Sequence, residues 1–130
     1  HRVRCYFRLH PNRQFSAARI FEFVHELART VRAPLMLIWD RLPAHRGKKA
    51  RDYLKRHSAT RSVLLPPYAP ELNPIEYAWG YLKCNPLANR PAFELEELTR
   101  TTRRATRALQ ANETLLRSFI HHSPLSLRLR

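Results

Sequence analysis

Apolar and polar positions alternate along residues 2–9, with Val3, Cys5, Phe7 and Leu9 set against Arg2, Arg4, Tyr6 and Arg8. A period of two predicts a strand with one buried face, at or near a sheet edge. Pro11 and Asn12 interrupt it. The period then lengthens: Ile20, Val24, Leu27 and Val31 recur at three-to-four-residue spacing, Phe21 and Phe23 widen the stripe, and Ser16 stands at the N-cap position. This predicts a helix stopped by Pro34. Residues 35–39, LMLIW, are apolar without a break, the pattern of a short parallel strand covered on both faces. A basic helix over residues 46–57 follows, with Ala50, Tyr53 and Leu54 inward, and then a further strand at residues 61–65. Parallel neighbours joined by helices require right-handed crossovers, so the order strand, helix, strand, helix, strand predicts an α/β layer.

The second half of the pattern is helical. A loop containing Pro66, Pro67 and Pro70 leads into a helix over residues 74–83, which breaks at Asn85, Pro86, Asn89 and Pro91. A long helix over residues 93–109 puts Leu95, Leu98, Thr102, Ala105 and Leu109 on one face and turns Arg100, Arg103, Arg104 and Arg107 away. Glu94, Glu96 and Glu97 precede those arginines, a charge order that predicts a helix dipole complemented at both ends. A shorter helix over residues 113–121 completes the set. With 130 residues and no internal repeat, the chain is expected to be one domain, residues 1–130, in which residues 91–130 form a C-terminal helical extension.

Charge narrows the partners. Twenty-four Lys and Arg against ten Asp and Glu give +14, an imbalance that favours a polyanion. Most of these cations are arginines spread along the whole chain, and the planar guanidinium matches phosphate oxygens two at a time, so nucleic acid is the expected partner. A membrane surface is the weaker candidate: the apolar helix faces are already allotted to a core, and no apolar run approaches the roughly 18 residues of a span. Cys5 and Cys84, without a signal peptide, predict free thiols in a reducing cytoplasm. Because the sequence opens at His1 inside a predicted strand, it is expected to be part of a longer protein, such as one product of a split or frameshifted reading frame.

Two carboxylates carry the candidate chemistry. Asp40 follows the apolar run 35–39 directly, so it emerges at the carboxyl end of a buried strand, the edge where open α/β sheets place ligands; the alternative is an aspartate opening the turn Asp40-Arg41-Leu42-Pro43. Glu76 follows it after 35 intervening residues, in a helix start. There Asn73, Pro74 and Glu76 also read as a capping box, in which the glutamate bonds the backbone N–H of the cap. His45 either orders a metal-bound water, touches a nucleic acid or packs at the next helix; Lys83, two turns after Glu76, meets a phosphate or is simply solvated. Trp79, Ile75 and Leu82 share a stripe and are expected in the core. Tyr68 either leans on substrate or packs within the proline loop.

The segments LMLIWDRLPAH and LPPYAPELNPIEYAWGYLK resemble the second and third acidic blocks of the DDE transposases, specifically the mariner superfamily and related bacterial insertion-sequence enzymes. Leu65-Pro66-Pro67-Tyr68, Pro70, Leu72-Asn73-Pro74, Ile75-Glu76, Trp79 and Leu82-Lys83 all fall in that family's register, and the likeness covers about residues 4–98, strongly over residues 35–83 and loosely elsewhere. The resemblance implies a partial RNase H-like α/β fold, with parallel central strands flanked by helices and the first strands missing. It implies that Asp40 and Glu76 are the second and third catalytic acids and ligate Mg2+ or Mn2+ in a two-metal site. It implies DNA, both transposon ends and target, as substrate for strand cleavage and transfer, with Arg41, His45, Lys48, Lys49, Tyr68 and Lys83 as DNA-binding candidates. Paired subunits, a nucleoid-associated cytoplasmic location and an N-terminal companion carrying the first acid follow from the same likeness. Asp40 and Asp52 are the only aspartates and no acidic residue precedes Glu22, so no residue stands in for that first acid. Arg41 departs from the asparagine common after the second acid and sets a cation beside the site. The chain is therefore expected to be inactive by itself, or alternatively a degenerate remnant that only binds nucleic acid.

Overall fold

Residues 2–12, 16–85, 87–88 and 94–125 are described by a computed structural model, in which the chain divides into two compact units. The strand unit comprises Asn12–Ala69; the helical unit takes His1–Pro11 and Pro70–Arg130.

In the strand unit, the apolar stripe forms α1 (Ala17–Val31) and buries Ile20, Phe21 and Val24. Ser16 occupies the N-cap with extended backbone, but its hydroxyl makes no capping bond; its carbonyl accepts from Arg19 and Ile20 instead. The helix closes through Arg32, which adopts the left-handed conformation at φ 53° and donates its N–H to Ala28. β1 (Leu35–Trp39) and β2 (Thr60–Leu64) pair in parallel, in register from Leu35 opposite Thr60 to Trp39 opposite Leu64. Between them run α2 (Pro43–Arg46) and α3 (Lys48–Arg56). The single helix expected over residues 46–57 is thus replaced by two, because Pro43 starts a helix early and Gly47, with extended backbone, interrupts it.

The core of this unit joins Ile20, Phe21 and Val24 to Ala50 and Tyr53, with Leu37, Trp39, Ala44 and Leu54 packed on its edge. Phe21 meets Tyr53 at 5.1 Å and the edge of Trp39 at 5.9 Å, contacts of about 0.5–1.5 kcal/mol each beyond burial. Leu37 and Trp39 face this core while Met36 is 62% exposed, so β1 is not covered on both faces as its unbroken apolar run predicts. Successive strand side chains point to opposite faces, and among the described residues the helices cover one of them.

The helical unit contains a 3-10 turn (Pro70–Leu72), α4 (Pro74–Cys84), α5 (Leu95–Ala111) and α6 (Glu113–His122). Ala78 and Leu82 of α4 pack with Ala105 and Leu109 of α5 and Leu116 of α6. Asn112 turns the chain between α5 and α6, its side chain accepting from Leu115 N–H at 3.0 Å. Ser123 ties the end of α6 to the proline loop by donating to the Leu72 carbonyl at 2.9 Å.

Residues 2–9 do not form the expected strand. Their inward set survives, since Val3, Cys5 and Phe7 pack on the helical core, but the backbone bonds go to side chains: Val3 N–H donates to Glu113 Oε1 and Gln110 Nε2 donates to the Cys5 carbonyl. A strand is defined by a ladder, and no described residue offers this segment one. Two readings of α5 also change. Leu95 and Leu98 are exposed, so its core face begins a turn later than the spacing suggests. Its last turn carries no basic residue, so the dipole is complemented by Glu96 and Glu97 at the N-terminus only. Phe93 and the break residues Pro86, Asn89 and Pro91 lie outside the described residues. Cys5 and Cys84 are both free thiols. No described helix is long and apolar enough to cross a membrane.

Candidate active site

The parallel ladder fixes where Asp40 emerges. Trp39 and Leu64 are its last paired residues, and Leu65 N–H donates to the Trp39 carbonyl at 2.8 Å, so Asp40 is the first residue past the sheet. Its side chain is 48% exposed. One oxygen, Oδ1, accepts from Leu42 N–H at 3.0 Å and from His45 Nδ1 at 2.7 Å. The first bond is the predicted turn; the second is a further restraint. Oδ2 has no partner among the described residues, which leaves one oxygen of an oriented carboxylate available to a ligand.

A carboxylate only accepts, so His45 must carry a hydrogen on Nδ1, whatever the charge of the ring. The ring is held from behind. It lies flat on Trp39, centroids 4.5 Å apart and planes 7° from parallel, with its side chain 13% exposed. Trp39 in turn donates its indole N–H to Ser62 Oγ on β2 at 2.9 Å and sets its edge on Phe21. Asp40 is therefore connected through two side chains to the sheet and to the core of the unit. Arg41 donates Nε to the Leu65 carbonyl at 2.9 Å, pinning a guanidinium beside the acid at the same strand ends. Lys48 and Lys49 are exposed in the first turn of α3, a turn without an acidic residue, where they oppose the helix dipole.

Glu76 sits in the first turn of α4. The capping box expected there is only half made: Asn73 Oδ1 accepts from Ile75 N–H at 3.4 Å, but the Asn73 N–H is already given to the Pro70 carbonyl at 2.9 Å. The rigid loop thus takes the donor that would have occupied the glutamate. Among the described residues the exposed Glu76 carboxylate has no hydrogen bond or ion pair. Trp79 is 39% exposed and Ile75 is exposed as well, while Ala78 and Leu82 face the core, so two of the three residues assigned to the core stripe are surface residues. Trp79 meets Phe7 edge-on at 5.8 Å. At three-then-four spacing, Glu76, Trp79 and Lys83 share the outer face of α4, an acid, an aromatic and a cation in line. That spacing was present in the sequence, and the core reading missed that it leaves Trp79 on the outer face. Gly80, on the same face, has nothing within 4 Å of the position a Cβ would take.

Tyr68 stands at the tip of the proline loop, fully exposed and at φ 56°. A non-glycine residue in that region costs about 1–2 kcal/mol. The ring gains no described packing in return. The strand unit therefore brings Asp40, Arg41 and His45 together at one end of its two strands, while Glu76 and Lys83 are assembled on α4 of the helical unit. No group of three or more His, Cys, Asp or Glu side chains able to hold a metal ion occurs among the described residues.

Two parallel strands flanked by helices, with an acid at the strand end and another opening a later helix after a proline loop, define the class: an α/β domain consistent with part of an RNase H-like fold. The family model described as DDE superfamily endonuclease matches residues 7–99, from the N-terminal segment through both acidic blocks to the start of α5. The chain belongs to the DDE superfamily endonucleases, and carries a DDE transposase-type domain. Among curated proteins, none matches it.

Proposed function

We propose that this chain is the C-terminal part of a mariner-like insertion-sequence transposase, in which Asp40 and Glu76 serve as the second and third acids for DNA strand cleavage and transfer. Membership of the family implies a transposase-like nuclease acting on DNA; the assignment to individual residues is our reading. The observation that carries it is the Asp40 carboxylate, oriented through Oδ1 by His45 and Leu42 with Oδ2 unengaged. A glutamate relieved of its capping duty in the other matched block supports it.

The donor chemistry fits Mg2+ or Mn2+. Both are hard cations that take oxygen ligands, and magnesium is commonly bound by one or two carboxylates plus substrate phosphates. When bound, such ions supply a nucleophile at neutral pH and neutralise the leaving oxygen of a phosphodiester. The protein's own part is positional. His45 holds Asp40; Arg41 presents its terminal nitrogens while Nε stays on the Leu65 carbonyl; Lys48 and Lys49 place charge at a helix start where a phosphate would relieve their repulsion from the dipole. Tyr68 and Lys83 offer a stacking ring and a point charge to DNA.

With no residue standing in for the first acid, the 130-residue chain is expected to bind DNA without cleaving it, and cleavage requires that acid from elsewhere. Calorimetric titration with manganese should show binding that Asp40→Asn and Glu76→Gln each abolish. Plasmid nicking in manganese by the purified chain, abolished in Glu76→Gln, would show that two acids suffice and overturn the inactivity. A second reading is a basic nucleic-acid-binding module that has lost its chemistry, which the net charge of +14 favours. It predicts DNA binding indifferent to manganese and to both substitutions.

A further inference from the structure

The outer face of α5 carries four arginines and, in the described structure, gives them nothing to hold. At 100° per residue, Arg100, Arg103, Arg104 and Arg107 fall within an arc of about 100°, opposite the buried Ala105, Thr106 and Leu109. All four are exposed. None of their guanidinium groups makes an ion pair or hydrogen bond among the described residues, although Glu96 stands one turn before Arg100. Together with Glu96 and Thr99 they line a shallow cavity that no other described residue lines. Four like charges one turn or less apart repel each other by several tenths of a kcal/mol per pair, a cost that persists unless an anion lies along the row. Seven residues of helix span about 10 Å, and phosphates advance about 3.4 Å along the duplex axis on each strand, so the row is long enough to meet more than one phosphate. Arg100, Arg103, Arg104 and Arg107 also lie past residue 99, where the family match ends.

We propose that this arginine row is a second, metal-independent DNA contact, which grips the phosphate backbone of duplex DNA without reading sequence. The proposal rests on DNA being the substrate of the domain, and assigns it a surface separate from the carboxylates. Backbone contacts of this kind fix position on the duplex and dominate the salt dependence of affinity.

The test is fluorescence anisotropy of a labelled random-sequence duplex with the full chain, over a salt series and in the presence of EDTA. The quadruple variant R100Q/R103Q/R104Q/R107Q is compared with R29Q/R32Q/K55Q/R61Q, which removes the same charge from exposed positions of the strand unit. The α5 variant should flatten the log–log salt slope by about 2–4 and weaken binding at least about tenfold at 0.1 M salt, with far-UV circular dichroism unchanged. The control variant should change the slope by less than about 1. Equal losses in the two variants would reduce the row to diffuse charge and overturn the proposal. Native-like binding by the α5 variant would overturn it too, yet leave DNA as the partner. Failure of the native chain to bind duplex at all would remove both.

Discussion

Replacing His45 separates two roles that its geometry combines. The ring stacks on Trp39 at 4.5 Å, and Nδ1 holds Asp40 at 2.7 Å. Phenylalanine keeps the stack and deletes the donor; asparagine keeps a donor near the position of Nδ1 and deletes the stack. A hydrogen bond to a charged group is worth about 1.5–3 kcal/mol, but Asp40 is half exposed and water can replace the donor, so His45→Phe should cost only about 1 kcal/mol of stability. Its cost to a ligand of Asp40 is larger. Partners that orient metal-binding carboxylates typically change affinity about 10–100-fold, and His45→Phe should weaken manganese binding by that factor. His45→Asn should do the reverse, with near-native manganese affinity and a loss of about 1–2 kcal/mol from the exposed face of Trp39. The assays are urea unfolding for stability and calorimetry for the ion. If manganese affinity follows stability across His45→Phe, His45→Asn and His45→Ala, the ring is merely packing and the positioning role is refuted.

Tyr53, whose ring packs against Phe21 and His57, buries a hydroxyl that has no partner among the described residues, so Tyr53→Phe should raise stability in urea by about 1 kcal/mol; destabilisation would mean that the hydroxyl is satisfied. Tyr68→Gly relieves a left-handed backbone and should leave the melting temperature unchanged or higher while lowering DNA affinity; unaltered anisotropy would exclude the ring from the DNA contact. Glu113 is held below its ordinary value of 4.5 first by the Val3 N–H and then by Arg117. Its folded-state value being depressed, the stability it contributes is present above that ordinary value and is lost as pH falls through the folded one. Glu113→Gln should therefore melt below the native chain at pH 7, with faster exchange of the Val3 amide, and the gap should close in acid; a gap that stays constant with pH would contradict the assignment.

Much of the α/β order could be read directly from periodicity. The three-four spacing of Ile20 and Val24, the unbroken run before Asp40 and the proline-bounded start of α4 each specify a local conformation that tertiary contacts did not override. The candidate acids were legible for the same reason, since Asp40 and Glu76 stand at element ends that neighbouring residues fix. What surrounds those acids was not. His45 gave no sign of its bond to Asp40, because that bond needs the strand end and the short α2 helix to fold back on each other, with Trp39 as the floor.

Sequence alone therefore determined which residues share a face and where the chain turns, as both follow from backbone geometry over a few residues. Tertiary structure decided which face is covered. Residues 2–9 kept their alternation yet took side-chain donors and acceptors in place of a ladder, and Trp79 stayed at the surface because α4 turned Ala78 and Leu82 to the core. It also decided which polar groups are already spent: Asn73 gave its N–H to Pro70, and so left Glu76 free. A backbone donor bonds whichever acceptor the fold brings nearest, and that choice is made by packing between segments distant in the chain, which no local pattern encodes.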